Sequence, residues 1–383
     1  MKLKYVGACK DYSGYGEAAR HDVGALVSAG VNVTLKIPVY TPEHSDFGAL
    51  GQLCLELENK PIAYPFVMLH ITPNVYEQYM EAGKFHIGRV FWETDKLPLD
   101  FANRVQLLDE VWTGSEYNAQ AIRNAGVTKP IYIVPEAIDA SLDPDSVQPY
   151  ITANKDDFKF YSIFEWTYRK NPHALLEAYW REFEDTKNVS LTIKTYVDNF
   201  RPEKMKEIER DIKQLKVRLG LKNYAPIFLY TNLMDRHQIY RFHKSFDCFV
   251  SAHRGEGWGI PQMEAMIMEN PIISTNVGGI HEYLTHKKNA LLLNDFKMIR
   301  VDNSRNQQWY TPDQHWADVD VAELQANMRY VFKNKKKAKE LGINGGKLVR
   351  EQFSLQTVGK KMRDRLNDIE ATILYPVPQR KAQ

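Results

Sequence analysis

Along most of its length the chain alternates short apolar runs with amphipathic stretches, and that alternation narrows the folds open to it. Residues 3–8 read as a buried strand, followed by the glycine-rich turn Asp11-Tyr12-Ser13-Gly14-Tyr15-Gly16-Glu17. A helix from Tyr15 to Ala29 stops at Gly30, and residues 31–37 alternate as a second strand. Further strands are expected at 65–70, 87–92, 110–113 and 131–134, with helices at 73–81, 97–108 and 116–124. Residues 137–157, polar and carrying Pro144 and Pro149, read as a linker. The series then restarts, with strands at 158–164, 189–195, 227–230, 247–252 and 271–276 and helices at 172–183, 202–219, 236–246 and 260–269. Residues 296–319 read as an irregular insertion, and three helices close the chain at 321–333, 336–353 and 356–374. Strand–helix alternation in both halves predicts an α/β protein with two doubly wound, Rossmann-like parallel sheets. Ligands of such sheets lie beyond the carboxyl ends of the strands, so two of them facing each other enclose a deep cleft.

At 383 residues the chain is too long for one ordinary core, which agrees with two domains. We place them at 1–150 and 151–354, with 355–383 as a helix and tail that cross back to the first. The formal net charge of +2 argues against a general polyanion binder. Basic clusters at Lys333, Lys335, Lys336, Lys337 and Lys339, and at Lys360, Lys361, Arg363 and Arg365, read first as solvated faces. They leave open contact with DNA or with an anionic membrane surface. Cys9, Cys54 and Cys248 are odd in number and widely spaced, so neither a disulfide framework nor a zinc site is expected and a reducing cytoplasm is the default. The N-terminus shows no apolar signal region, and no apolar run approaches the roughly 18 residues that span a bilayer.

The densest chemistry lies in the second half. The strand Asp247-Cys248-Phe249-Val250-Ser251-Ala252 leads into Arg254-Gly255-Glu256-Gly257-Trp258-Gly259-Ile260-Pro261, and a helix carrying Glu264 follows. Pro271-Ile272-Ile273-Ser274-Thr275-Asn276 forms the next strand, and Gly278-Gly279 opens another helix. Glycines before a helix let backbone N–H groups approach a diphosphate, and the helix N-terminus adds partial positive charge. Gly257, Gly259 and Ile260 fit that description, as do Gly278 and Gly279, and more weakly Gly14 and Gly16. Arg169 and Lys170 stand between a strand and a helix capped by Asn171, and read either as a phosphate clamp or as a solvated basic turn.

These residues resemble the family 4 retaining glycosyltransferases of GT-B fold. Glu256-Gly257-Trp258-Gly259-Ile260-Pro261 with Glu264-Ala265-Met266 is similar to that family's pair of glutamates eight positions apart. Arg169-Lys170-Asn171-Pro172 is similar to its phosphate-holding turn, and Ser13-Gly14-Tyr15-Gly16 to its first glycine-rich loop. Phe91-Trp92-Glu93-Thr94-Asp95 and Asp109-Glu110-Val111-Trp112-Thr113-Gly114-Ser115 look like a bacterial and viral variant. The chain departs from the pattern at Glu165-Trp166, where many members carry an arginine, and at Trp92-Glu93, where many carry a histidine.

The resemblance implies a retaining transferase that moves a sugar from a UDP-, GDP- or similar nucleotide-sugar to an acceptor, with no required cofactor and no required metal. Glu264 would accept two hydrogen bonds from ribose hydroxyls; otherwise it is a surface residue of its helix. The resemblance places Glu256 at the donor sugar, and the plain alternative is a loop carboxylate that caps the helix. Trp258 either stacks on substrate or fills core. His70, Trp92 and Glu93 are candidates for sugar or acceptor contacts, with a structural histidine as the ordinary reading of His70. Asp143-Pro144-Asp145 and Asp318-Val319-Asp320 read as a linker and a helix cap rather than metal ligands. The acceptor is open: a glycan, a lipid, a small molecule or a modified DNA base. A nucleotide-sugar sensor without catalysis is the third reading.

Overall fold

The computed structural model describes residues 1–38, 47–152, 156–197, 202–302 and 309–374. In the N-terminal half β1 (Lys2–Gly7), α1 (Gly14–Ser28), β2 (Asn32–Lys36), α2 (Gly48–Leu57), β3 (Phe66–His70), β4 (Phe85–Arg89), α3 (Leu99–Val105), β5 (Glu110–Thr113), α4 (Glu116–Asn124) and β6 (Ile131–Ile133) follow in order. Their strands form one parallel sheet, β2-β1-β3-β4-β5-β6. The second half holds β7 (Phe158–Glu165), α5 (Pro172–Phe183), β8 (Val189–Tyr196), α6 (Pro202–Leu219), β9 (Ile227–Tyr230), α7 (Arg236–Lys244), β10 (Cys248–Ser251), α8 (Ile260–Ile267), β11 (Ile272–Thr275) and β12 (Leu291–Leu293). These strands form a second parallel sheet, β12-β11-β10-β7-β8-β9. Two doubly wound α/β lobes are therefore present, as the alternation predicted.

The strand orders fix where a ligand belongs. Winding reverses between β1 and β3 in the first sheet and between β7 and β10 in the second. A reversal leaves a crevice at the carboxyl ends of the two strands, because their connections leave on opposite faces. The turn holding Gly14 follows β1, and His70 ends β3. Arg169 and Lys170 follow β7, and the run from Arg254 to Gly259 follows β10. Both reversals thus deliver the polar motifs to one place.

Apolar residues cover both faces of each sheet. Phe160, Leu191, Ile193, Leu176 and Trp180 lie in one core of the second lobe, and Tyr161, Phe249, Met266 and Ile272 in the other. Burial on both faces explains why these strands read as unbroken apolar runs rather than alternating ones.

Three expectations are corrected. The stretch 73–81 is a 3-10 helix at Pro73–Gln78, and the helix expected after Gly278 is a four-residue 3-10 turn, Gly279–Glu282. The insertion is not irregular where it is described: β13 (Phe296–Arg300) pairs antiparallel with β14 (His315–Val319). This hairpin reaches the other lobe, where the His315 N–H donates to Asp95 Oδ1 at 2.7 Å and Gln314 Nε2 donates to the Lys96 carbonyl at 3.0 Å.

After α9 (Val321–Lys333) and α10 (Lys335–Gln352), α11 (Leu355–Ile369) returns to the first lobe and packs on α1. Gly359 permits the contact, since a Cβ there would stand 2.0 Å from the Ala25 carbonyl oxygen. Val358, Met362, Leu366 and Ile369 enter the core beside Leu3, Val23 and Leu26. The chain crosses between lobes twice, and the crossings touch: the Ile138 N–H donates to the Phe353 carbonyl at 2.9 Å, and Ile138 bridges Ser354. Leu366→Ala is expected to cost about 2–5 kcal/mol in chemical denaturation of the N-terminal lobe. A loss below about 1 kcal/mol would separate α11 from that core.

Among the described residues no helix is long and apolar enough to cross a membrane.

Candidate functional site

The two crevices open into a single cleft of about 1370 Å³ between the lobes. Glu256, Glu264, Arg169, Lys170, Gly257, Trp258, Gly259 and Ile260 line it from the second lobe, and Gly14, His70 and Glu93 from the first.

Local sequence shapes the end lined by Arg169, Lys170 and Gly259. Asn171 adopts a left-handed conformation (φ 55°) and its side chain accepts from the Ala174 N–H, so α5 starts immediately after Lys170. Gly259 sits at φ 97° as the N-cap of α8, with Pro261 in the first turn. The Arg254 N–H donates to the Arg169 carbonyl at 2.7 Å, and Arg169 Nη1 donates to the Gly255 carbonyl at 2.9 Å. The two turns are therefore one rigid unit.

Glu256 is nearly buried and ion-paired with Lys170 through Oε2, while Arg169 Nη1 stands 3.8 Å from its Oε1. Burial alone would raise its carboxyl; Lys170, Arg169 and His253 outweigh that and hold it at about 2. Burial lowers Lys170 from its ordinary value in spite of Glu256. Arg169 also faces Glu93 across the lobes at 3.6 Å.

Glu264, on α8, is buried. Arg236 Nη2 donates to its Oε1 at 2.6 Å, and His243 Nε2 lies 3.2 Å from its Oε2. Burial pushes this carboxyl up, and Arg236 and His243 pull it down further, to a net value below the ordinary one. A carboxylate has about four acceptor positions, so two contacts leave room for two more. Arg236 also bridges the lobes, with its Nε 3.1 Å from Glu17 Oε1. Glu17 in turn accepts from Arg20 at 2.6 Å. Lys194, at the carboxyl end of β8, lines the same end of the cleft, and burial lowers it to about 8 against the pull of Glu264.

Several expected side chains sit elsewhere than expected. Trp258 lines the cleft, but its ring is 3% exposed, donates to Met263 Sδ through Nε1, and packs among Phe91, Tyr283 and Phe353. It also lies against Gly114 of the other lobe, so it seals the interface. Trp92 is likewise core; its Nε1 donates to Thr94 Oγ1 at 2.7 Å and its ring packs on Phe101 and behind Tyr310, which lines the cleft where Trp92 does not. Gly278 and Gly279 back the glutamate turn instead of lining the cleft. Gly278 has φ 107°, and a Cβ on either would stand 2.1 Å from the Glu256 or Gly257 carbonyl oxygen. Gly16 stands in the same relation to Asp11.

Asp143 caps a 3-10 turn, Asp318 pairs with Arg254 at 2.8 Å, and Asp320 caps α9. Among the described residues no three His, Cys, Asp or Glu side chains are grouped as metal ligands. Cys9, Cys54 and Cys248 are buried and unpaired.

Arg236, Glu17, Lys194, Glu136 and Tyr310 also line the cleft, although the motifs in the sequence do not single them out. Only Arg236 left a local signal. It opens α7 behind the capping box Asp235–Gln238, which marks a helix start but not what its first residue reaches.

Glu17, Asp22 and Glu256 are each held at about 2 by buried cationic partners, against burial that would raise them. Their folded values lie below their unfolded ones. Their stabilisation is thus complete above the ordinary carboxylate range and is lost as pH falls from about 5 toward 2, on the order of 2–3 kcal/mol for each. Urea midpoints are expected to drop steeply over that window; midpoints that stay level to pH 3 would contradict these ion pairs.

The comparisons agree with this architecture. A family model described as glycosyl transferases group 1 matches residues 147–299. No curated protein sequence matches the chain. Among solved structures, Anabaena HepE in complex with UDP and glucose superposes with a TM-score of 0.66 at 14% identity, covering 96% of this chain and 100% of that one. Sucrose-phosphate synthase from Thermosynechococcus elongatus gives 0.67 at 14%, covering 96% and 99%. A glycosyltransferase from Rickettsia africae gives 0.65 at 14%, covering 97% and 99%. The chain has the two-lobed GT-B fold, and its residues 147–299 match the group 1 glycosyl transferases.

Proposed function

We propose that the chain transfers a sugar from a nucleotide-sugar to an acceptor, with retention of anomeric configuration as the family 4 resemblance implies. The observation that carries this reading is the placement of Glu256, Lys170 and Glu264 at the reversal between β7 and β10, inside the region that matches group 1 glycosyl transferases. HepE holds UDP and glucose, which favours a UDP-sugar.

In this reading the ribose hydroxyls bind the open acceptor positions of Glu264. The diphosphate lies against Arg169, Lys170 and the first backbone N–H groups of α8, with Gly257 and Gly259 allowing close approach. Lys170 exchanges Glu256 for phosphate as donor enters and then neutralises the leaving nucleotide. That frees Glu256 to face the sugar and the positive charge that develops on its ring. Cations and a helix N-terminus thus supply the charge that a metal supplies in other folds. His70 and Glu93 stand on the acceptor side.

The basic clusters are partly occupied within the molecule: Lys339 donates to the Glu269 carbonyl at 2.9 Å, Lys360 to Asp364 at 2.6 Å, and Arg365 to Glu110 at 2.9 Å. This favours a glycan, lipid or small-molecule acceptor over DNA.

The test is a panel of UDP-, GDP- and ADP-sugars scored by thermal shift and by nucleotide release. Saturating donor at about 100 times Kd should add about 2.7 kcal/mol of stability. A panel with no stabilising member would defeat the reading, and binding without any turnover would leave a sensor.

A further inference from the structure

Two polar side chains in the N-terminal wall of the cleft each keep a buried atom without a partner. His70 is 1% exposed and Glu136 4%, and His70 Nε2 and Glu136 Oε2 are buried without a hydrogen-bond partner. Both side chains line the cleft. Arg20 Nε, in the same wall, is a third such atom, and a group of them marks where polar atoms of a ligand belong.

Their surroundings define that ligand. His70 Nδ1 meets the Tyr5 hydroxyl at 2.5 Å, and that hydroxyl lies 3.3 Å from Asp22 Oδ2. A relay from Nδ1–H through Tyr5 to Asp22 puts the ring proton on Nδ1 and leaves the Nε2 lone pair without a donor. Burial lowers the ring below its ordinary value, against the pull of Asp22, so it is neutral at pH 7. Glu136 follows β6 and feels Arg89, but that guanidinium is bonded to Asp22 at 2.8 and 3.1 Å and to the carbonyls of Val134 and Pro135. Burial pushes the Glu136 carboxyl well above its usual range, Arg89 opposes, and Asp22 and Glu256 add to the rise. A protonated carboxyl both donates and accepts, as a hydroxyl does. Neither a neutral imidazole nor a protonated carboxyl offers an anionic group an opposite charge.

We propose that Glu136 and His70 form the acceptor subsite and select a neutral polyhydroxylated acceptor, a sugar or polyol. One hydroxyl donates to His70 Nε2, and a neighbouring hydroxyl pairs with the Glu136 carboxyl. The inference rests on the donor reading above.

The experiment follows nucleotide release from the best donor with glycerol, glucose or glycerol 3-phosphate added. Glycerol and glucose should change the rate of release, either as acceptors or by excluding water, and glycerol 3-phosphate should act more weakly. Half-saturation for the neutral polyols should rise at least tenfold in Glu136→Ala and His70→Ala, with the donor KM unchanged. Glu136→Gln, which keeps one donor and one acceptor, should stay near wild type, an outcome that a merely structural role of the carboxylate would not produce. Wild type indifferent to both neutral polyols, a preference for glycerol 3-phosphate, or equal half-saturation in all folded variants would overturn the subsite. The preference test needs only the wild type, so a variant that does not fold leaves it standing. A wild type that neither binds nor hydrolyses any nucleotide-sugar would instead sink the donor reading.

Discussion

Glu264→Ala should weaken nucleotide binding by about 10²–10⁴-fold, because two charge-assisted hydrogen bonds are worth roughly 1.5–3 kcal/mol each. The same change leaves Arg236 and His243 without their buried partner. Stability should therefore fall as well, by about 3–5 kcal/mol, the usual cost of breaking a buried pair from one side. Calorimetric titration with the nucleotide alone, well below the melting temperature, separates the two effects. A folded variant with wild-type affinity would remove the ribose contact and with it the orientation of the donor.

Lys170→Ala should act on turnover. A cation that stabilises the leaving group contributes about 3–4 kcal/mol to the transition state, so kcat should fall by about 10²–10³-fold with a smaller change in donor KM. Removing Lys170 also takes away the strongest of the groups that hold Glu256 at about 2, leaving Arg169 at 3.8 Å and His253 to oppose burial. The carboxyl of Glu256 should then titrate higher, and the acid limb of the rate profile should move up in pH. A fall in kcat of less than about tenfold would show that the Lys170–Glu256 pair is structural.

Much of the plan was legible because buried parallel strands and their glycine-ended helices leave local marks. The run Phe158–Phe164, the stop at Gly30 and the cap at Asn171 all fell where the residues indicated. The glutamate pair was visible because its turn and helix are contiguous in sequence. What could not be read was contact between distant segments. Nothing near Arg236 says that its guanidinium joins Glu17 to Glu264. Nothing near Glu136 says that its Oε2 lacks a partner. Trp258 and Trp92 read as binding residues because an exposed ring and a ring wedged between two lobes look alike in sequence. Gly278 and Gly279 read as a ligand-facing turn, although their missing side chains make room for the backbone of another loop. α2 was missed because Gly48 and Gly51 break the apolar period of a short helix.

The paired passages of chain at Ile138 and Phe353 have a mechanical consequence. Two straps fastened to each other along one border leave a pair of bodies one easy swing, like the covers of a book about its spine. The link from Arg236 to Glu17 then works as the catch on the opening side. A nucleotide that draws Arg236 toward itself would loosen that catch, leaving the Arg169–Glu93 and His315–Asp95 contacts to hold the lobes.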